Sequence, residues 1–406
     1  MFPNRRIITS GGDKFRDEYS LAFDGTNDYV NCGDNADYHH DNGSASLFSV
    51  SIWVKITNST SNDDTIISKY DYGNDKREWR ISLDGSQNVK VVISIDGTSA
   101  SWATNTGSAL ITNRWYHVVF TYDGSEGTAN NRPNIYIDGQ VSTLSHNNTH
   151  PAQVNEDDCA LTIGSMLDSG VQSALPPINV SEATFYNTTL SASQVKTLYN
   201  GREPYNHKEG VASSNLAGWW RMGDASLDRF NIIADEASTS MGGNLATNGT
   251  FDSNTTGWTA KDSTVSHETS APILGAGSIK ASSLSNASAG FYQDMSLTEG
   301  SLYEVKGVMQ LLTGSSNGTI KVINSAGNGG SQDILYSGTI GGLISGGDAV
   351  PFTAYITALS SQPSIQFAAN VADGSFLVDS VTVRLVSGNT GVMTNMDADD
   401  FIGDTP

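Results

Sequence analysis

Cysteine is almost absent: Cys32 and Cys159 are the only two in 406 residues. Two thiols build neither a disulfide framework nor a zinc site, so they read as buried free thiols or a facing pair within one domain. Bases are also scarce, with 22 lysines and arginines against 43 acids and a formal charge of -21. A nucleic-acid partner is excluded on that ground, because displacing phosphate counterions needs a basic footprint. No apolar run approaches the roughly 20 residues of a membrane span. Residues 1–12 carry two arginines but no apolar stretch of signal-peptide length. The expectation is a chain made in a cytoplasm that stays soluble. With charged residues at 16% and hydrophobics at 37%, coiled coil, membrane bundle and acidic disordered tail are poor fits.

What the sequence has is glycine, 41 of them, among abundant Ser, Thr and Asn. That mixture suits all-β domains with many polar turns. The dominant period is two. Val50, Ile52, Val54 and Ile56 alternate with Ser49, Ser51, Trp53 and Lys55, and Trp79, Ile81 and Leu83 alternate with Glu78, Arg80 and Ser82. Val89, Val91, Ile93 and Ile95 follow, as do Tyr116, Val118, Phe120 and Tyr122. Each reads as a strand with one face on a core and the other wetter. Asp-Gly pairs at Asp24, Asp84, Asp96, Asp123 and Asp138 punctuate them as turns of a large antiparallel assembly. One helix stands out: Ser191 to Gln194 reads as a capping box, Val195, Leu198 and Tyr199 share a face, and Gly201 sits at the C-cap. Alternation resumes after residue 245, with Tyr303, Val305, Met309 and Leu311 and then Leu377, Asp379, Val381 and Val383 as examples.

The expected architecture is all-β, two antiparallel jelly-roll sandwiches in tandem. Residues 1–18 read as an N-terminal arm, 19–203 as the first sandwich and 204–244 as a connector holding Trp219 and Trp220. Residues 245–388 read as the second sandwich and 389–406, with four aspartates and no base, as an acidic tail.

Ser20–Val30, Ser51–Lys55, Arg114–Gly124, Asn134–Gln140 and Leu161–Gly164 come in the order of laminin-G-like, concanavalin A-type jelly rolls, and the first domain resembles that family. Glu182–Ser191, followed by the helix, resembles its closing signature, with Ser181 in place of a customary acid. Asn244–Asp252 with Gly257 and Trp258, and Phe376–Val383, make the second domain similar to carbohydrate-binding modules of jelly-roll form. The resemblance implies a structural calcium where its first and last strands meet, at Asp252 and Asp379. Asp24 with Glu182 is a second candidate calcium pair, in the first domain, since a hard cation takes turn carbonyls and a few carboxylates.

Catalytic constellations are missing. Retaining glycosidases of the concanavalin A type carry Glu-x-Asp-x-x-Glu on one strand, and no such run exists; Glu156, Asp157 and Asp158 are consecutive in a loop. No Gly-x-Ser-x-Gly elbow, His-Glu-x-x-His or P-loop occurs. His39, His40 and Asp41 read either as a metal fragment or as a solvated loop. Glycan binding needs aromatic platforms, and Tyr70, Tyr72 and Trp102 are the candidates in the first domain, Tyr292, Tyr336 and Tyr355 in the second.

The composite reading is a non-enzymatic virion surface protein, a head decoration or tail fibre, since the chain resembles marine bacteriophage structural proteins. Its alternatives are a bacterial surface adhesin and an accessory to carbohydrate-active enzymes. The terminal arm would dock on capsid or tail proteins by extended pairing, with Phe2, Ile7 and Ile8 as apolar anchors beside Arg5 and Arg6. Glycans are the expected ligands and a homo-oligomer the expected assembly.

Overall fold

Val50, Ile52, Val54 and Ile56 point into a core from one strand, Leu47–Ile56, whose neighbours in the sheet are Trp115–Asp123 and Pro177–Tyr186. The computed structural model describes residues 15, 17–40, 45–58, 61, 63–224, 232–237, 240–285, 289–298, 301–313, 318–323, 334–340, 343–357, 364–369, 374–387 and 390–406. Its paired segments divide into two units, one up to residue 239 together with 388–406, the other spanning 240–387.

The first unit is a β-sandwich. One sheet runs Gln140–Val141, Pro133–Ile137, Trp115–Asp123, Leu47–Ile56, Pro177–Tyr186, Ser20–Asp24 and Phe401–Ile402, with Leu216–Trp220 also on Pro177–Tyr186. The other runs Leu144–Asn147, Ala100–Asn105, Val89–Ser94, Lys76–Leu83, Asp64–Asp71, Leu161–Ile163, Tyr29–Asn31, Gly391–Thr394 and Ile232–Ile233. Phe48 of the first sheet lies 5.7 Å from Trp79 of the second, ring to ring, and also meets Phe120, Tyr122 and Phe185. Aromatic side chains that remove this much area from water dominate a core.

The second face of Leu47–Ile56 is not wetter: Ser49, Ser51 and Trp53 are buried. The helix Ala192–Tyr199 covers it, with Tyr199 stacked on Trp53 at 5.9 Å. Ser191 accepts from Gln194 N and the Gln194 side chain accepts from Ser191 N, a complete capping box. The left-handed exit begins at Asn200, one residue before Gly201.

The second unit pairs two sheets as well. One runs Thr264–Glu268, Ser278–Ser282, Ser375–Ser387, Leu302–Thr313 and Val350–Thr357, with Ser240–Asn244 on Ser375–Ser387. The other runs Thr259–Lys261, Gly290–Asp294, Ser364–Ala369, Gly318–Ile323 and Ile334–Ile340. Phe291 against Phe376 and Phe352 against Phe367 join them, and Trp258 is core.

Three expected boundaries change. The sandwiches are not in simple tandem: the second is inserted in the sequence of the first. Residues 389–406 are no tail, because Gly391–Thr394 pairs with Tyr29–Asn31 and Phe401–Ile402 with Ser20–Asp24. Met393 and Met396 are buried in the first core. The acids there have local partners: Asp397 caps the turn Ala398–Asp400, while Asp404 pairs with Lys55 and accepts from Trp115 Nε1 at 3.2 Å. The connector 204–244 contributes Leu216–Trp220 to the first unit. Residue 15 and residues 17–19 also pack there: Phe15 stacks on Trp219 at 5.9 Å, and the backbone N–H groups of Glu18 and Tyr19 donate to Asp224. The arm residues Phe2, Arg5, Arg6, Ile7 and Ile8 lie outside the described residues.

If the C-terminal strand completes the first core, Met393→Ala should destabilise the first unit by about 2–5 kcal/mol, the usual range for a buried side chain of this size. Denaturant titration followed by tryptophan fluorescence measures it, and an unchanged midpoint would contradict the placement.

Candidate functional site

Cross-strand register sets out a row of side chains on the second sheet of the first unit. Trp79, Ile81 and Leu83 enter the core, so the alternate residues Arg80 and Ser82 face the other way. Register then aligns Ser68, Arg80, Val92, Trp102 and Asn147 across five strands, and Ser82, Lys90, Thr104 and Ser145 beside them. Ser68 Oγ donates to the Ser165 carbonyl, so that end is covered. Trp102, Lys90, Thr104 and Asn147 keep partial exposure.

The aromatic candidates of this unit share one feature, a cation over the ring. Arg77 lies 4.0 Å from the centre of Tyr72, Arg80 5.1 Å from Tyr70 and Lys90 5.1 Å from Trp102. Tyr70 is buried and cannot stack a sugar, whereas Tyr72 is 50% exposed. In the second unit Tyr292 is buried, and the Tyr355 hydroxyl donates to Glu304 at 3.0 Å. The Tyr336 side chain lies outside the described residues.

The proposed acid pairs fare differently. Asp24 sits opposite Pro177, five residues along the strand from Glu182, about 16 Å at strand rise, so the two share no ion. Glu182 is instead held by Arg221 Nε at 3.1 Å and by Trp219 Nε1. Burial pushes its carboxyl well above the usual range, against the pull of Arg221. Ser181, the departure from the family pattern, donates to Asp17 at 3.0 Å, so the missing acid is met from elsewhere in the chain. Asp252 and Asp379 both address the turn 274–278: Ala276 N donates to Asp252, and Leu274 N and Ser278 Oγ to Asp379. Asp379 is 1% exposed, its carboxyl raised by desolvation, and no basic partner is recorded for it among the described residues. Ser380 N donates to the other Asp379 oxygen at 2.6 Å, so hydrogen bonds engage the carboxylate while the donor atoms of the two acids remain all oxygen, the kind a hard cation takes.

His40 and Glu156 do meet, though not on an exposed loop. His40, Glu78 and Glu156 have donor atoms within 4.8 Å of one another. The cation among them is Lys69, whose ammonium, with no exposed surface, lies 3.0 Å from Asp34, 3.2 Å from Glu78 and 3.6 Å from Glu156. Sequence reading missed Lys69 because strand alternation gave no hint that a lysine would turn inward. A cavity of about 410 Å³ opens beside Ser101, Arg132, Asn148 and His150. There Ser101 Oγ meets His150 Nδ1 at 2.8 Å, and burial lowers the His150 ring to about 4, so it is neutral at pH 7.

Asp17 carries a testable pH dependence. Burial first, then the Asp224 charge, push its carboxyl from 3.8 up to about 7. The folded state therefore holds this proton more tightly, and the stability it contributes is complete below 3.8 and lost as pH rises through about 7. Asp17→Asn should flatten that part of the melting-temperature profile between pH 4 and 8. A variant whose profile parallels the parent would contradict it.

No curated protein matches the sequence. Among solved structures, the xylan-binding CBM22-1 domain of Xyn10C from Paenibacillus barcinonensis is 18% identical, covering 36% of this chain and 97% of that one at a TM-score of 0.31. The heptameric SAP-like pentraxin of Limulus polyphemus is 13% identical, covering 45% and 82% at 0.33. The tailspike protein 4 enzymatically active domain of bacteriophage CBA120 is 14% identical, covering 35% of this chain and 21% of that one at 0.27. Residues 24–196 match the laminin-G family model described as the concanavalin A-like lectin/glucanases superfamily, so that stretch of the first sandwich is similar to domains of this superfamily.

Proposed function

We propose that the chain is a non-catalytic, lectin-like protein that holds glycans on the outer sheet face of its first unit, at the partly exposed end formed by Lys90, Trp102, Thr104 and Asn147. The observation that carries this reading is the cross-strand row from Arg80 through Val92 and Trp102 to Asn147. It joins a partly exposed aromatic to amide and charged side chains on one rigid surface, the composition a sugar-binding face needs. Acids that hydrolysis would require are engaged otherwise, as turn caps such as Asp84 and Asp96 and as partners of Lys69 and Arg221. In a glycan array followed by calorimetry, Trp102→Ala should weaken the best ligand about tenfold, the loss expected for one stacking contact. No reducing sugar should be released from that ligand. Turnover that disappears on mutating one acid would overturn the non-catalytic part, and full affinity in the variant would overturn the site.

The finer reading places this protein on a bacteriophage virion, docked to capsid or tail proteins through residues 1 to about 18 and assembled as a homo-oligomer. Its support is that the described residues at the end of this segment, Phe15 and Glu18, are fixed to the first unit, as is Tyr19 after them. Deleting residues 2–12 should leave both units folded and abolish incorporation into particles. Normal occupancy of the truncated protein would overturn it.

Calcium belongs to the same proposal. Asp252 and Asp379 would hold it beside the turn 274–278, where the ion would supply the positive charge that Asp379 lacks. Chelation should then lower the melting temperature of the second unit, since a ligand of the folded state stabilises it by mass action. Asp379→Ala should remove the sensitivity, and a melting curve indifferent to chelator would refute the site.

A further inference from the structure

We infer that the ligand of this face is an anionic glycan, with Arg80 and Lys90 receiving its carboxylate or sulfate beside Trp102. The inference rests on the glycan reading above and names its substrate class.

A guanidinium presents five N–H donors and cannot shed its charge, so a buried arginine needs acceptors on every side. Arg80 is 8% exposed and falls short of that requirement. Its Nε is buried with no hydrogen-bond partner, one terminal nitrogen reaches only the Met166 sulfur at 3.0 Å, and the other lies 3.3 Å from Asp63. Thioether sulfur is a weak acceptor. Ser165 Oγ, next in sequence to Met166, is likewise buried without a partner. Two unpaired donors therefore lie on one covered stretch of the face, and leaving them unpaired costs free energy.

Charge points the same way. Lys90 Nζ approaches the same carboxylate, Asp63, at 2.7 Å, so two cations share one anion. A local excess of one positive charge stands out on a chain whose total is -21. Both cations also cover aromatic rings, Tyr70 and Trp102, which keeps them extended over the sheet. An acidic sugar laid across Trp102 would bring its anionic group to Lys90 Nζ and the edge of the Arg80 guanidinium, where two cations meet and the Arg80 Nε–H lacks a partner. A neutral sugar would leave both unanswered.

The test uses the full chain against three oligosaccharides of equal length, one uronic, one sulfated and one neutral, by calorimetry. At least one anionic ligand should bind at least tenfold more tightly than the neutral one, and which of the two does so separates carboxylate from sulfate. Lys90→Gln should weaken the anionic ligand about tenfold and Arg80→Gln about ten- to a hundredfold, as charge-assisted hydrogen bonds are lost, so the preference for anionic over neutral ligand should collapse. Arg80→Lys should recover part of the loss. Lys90, partly exposed, keeps the test valid should the Arg80 variants unfold. Equal affinity for neutral and anionic ligands, or charge variants that bind as the parent does, would overturn the anionic class while leaving the glycan reading intact. Absence of binding to all three, together with a silent glycan array, would sink both.

Discussion

An ammonium group with no exposed surface survives only where acceptors surround it, and Lys69 recruits its acceptors from one strand and two connections of the first sandwich. Glu78 comes from the neighbouring strand, Asp34 from the segment after Tyr29–Asn31, and Glu156 from the loop before Leu161–Ile163. His40 lies between Glu78 and Glu156 and stacks on Phe48 at 4.8 Å. Phe48 is also the ring that meets Trp79, Phe120, Tyr122 and Phe185 across the two sheets. The ion cluster and the aromatic core therefore share a wall, and each fixes the position of the other.

Closure of the same sandwich depends on a chain that leaves it and returns. The strand Gly391–Thr394 lies between Tyr29–Asn31 and Ile232–Ile233, so residues on both sides of the inserted unit meet in one sheet. Such pairing joins residues more than 350 positions apart, as in Tyr29 with Thr394. The entropy of closing so long a loop grows only slowly with length, and a second unit that folds on its own core shortens the effective gap. At the far end Asp404 bridges Lys55, Trp115 and Asn179, three residues of the opposite sheet. The acid-rich segment joins the fold through Asp397 and Asp400, which close its turn, and Asp404, which meets these donors.

Sequence alone carried the strands that alternate and are long, the capping box at Ser191 and the order of the laminin-G-like segments, because period, cap and turn chemistry are local. It did not carry Gly391–Thr394 or Phe401–Ile402. Strands of four and two residues have no period to read, and partners far along the chain chose them. Asp397, Asp399 and Asp400 suggested a solvated run, yet two of them close a capped turn. Among site residues, Tyr70 and Tyr292 were legible as aromatics near turns but not as buried ones, since alternation fails where a face is covered from both sides. The pairing of Arg80 and Lys90 with one aspartate needed the register of three strands, which no residue pattern specifies.

The chain's negative total does not oppose an anionic ligand at Arg80 and Lys90; it changes how one would bind. Exposed acids far from the face act through water, and at physiological ionic strength their field fades over about 8 Å. The two cations act at contact, partly desolvated, where the same charge is worth several times more. A polyanion therefore meets weak repulsion during approach and attraction only on arrival. That order of events favours slow association and discrimination by the fitted contact over non-specific capture, because net negative charge turns away polyanions that cannot reach the row. A chain of formal charge -21 that brings two cations together at one row of a sheet thus obtains its selectivity from the contrast between the two.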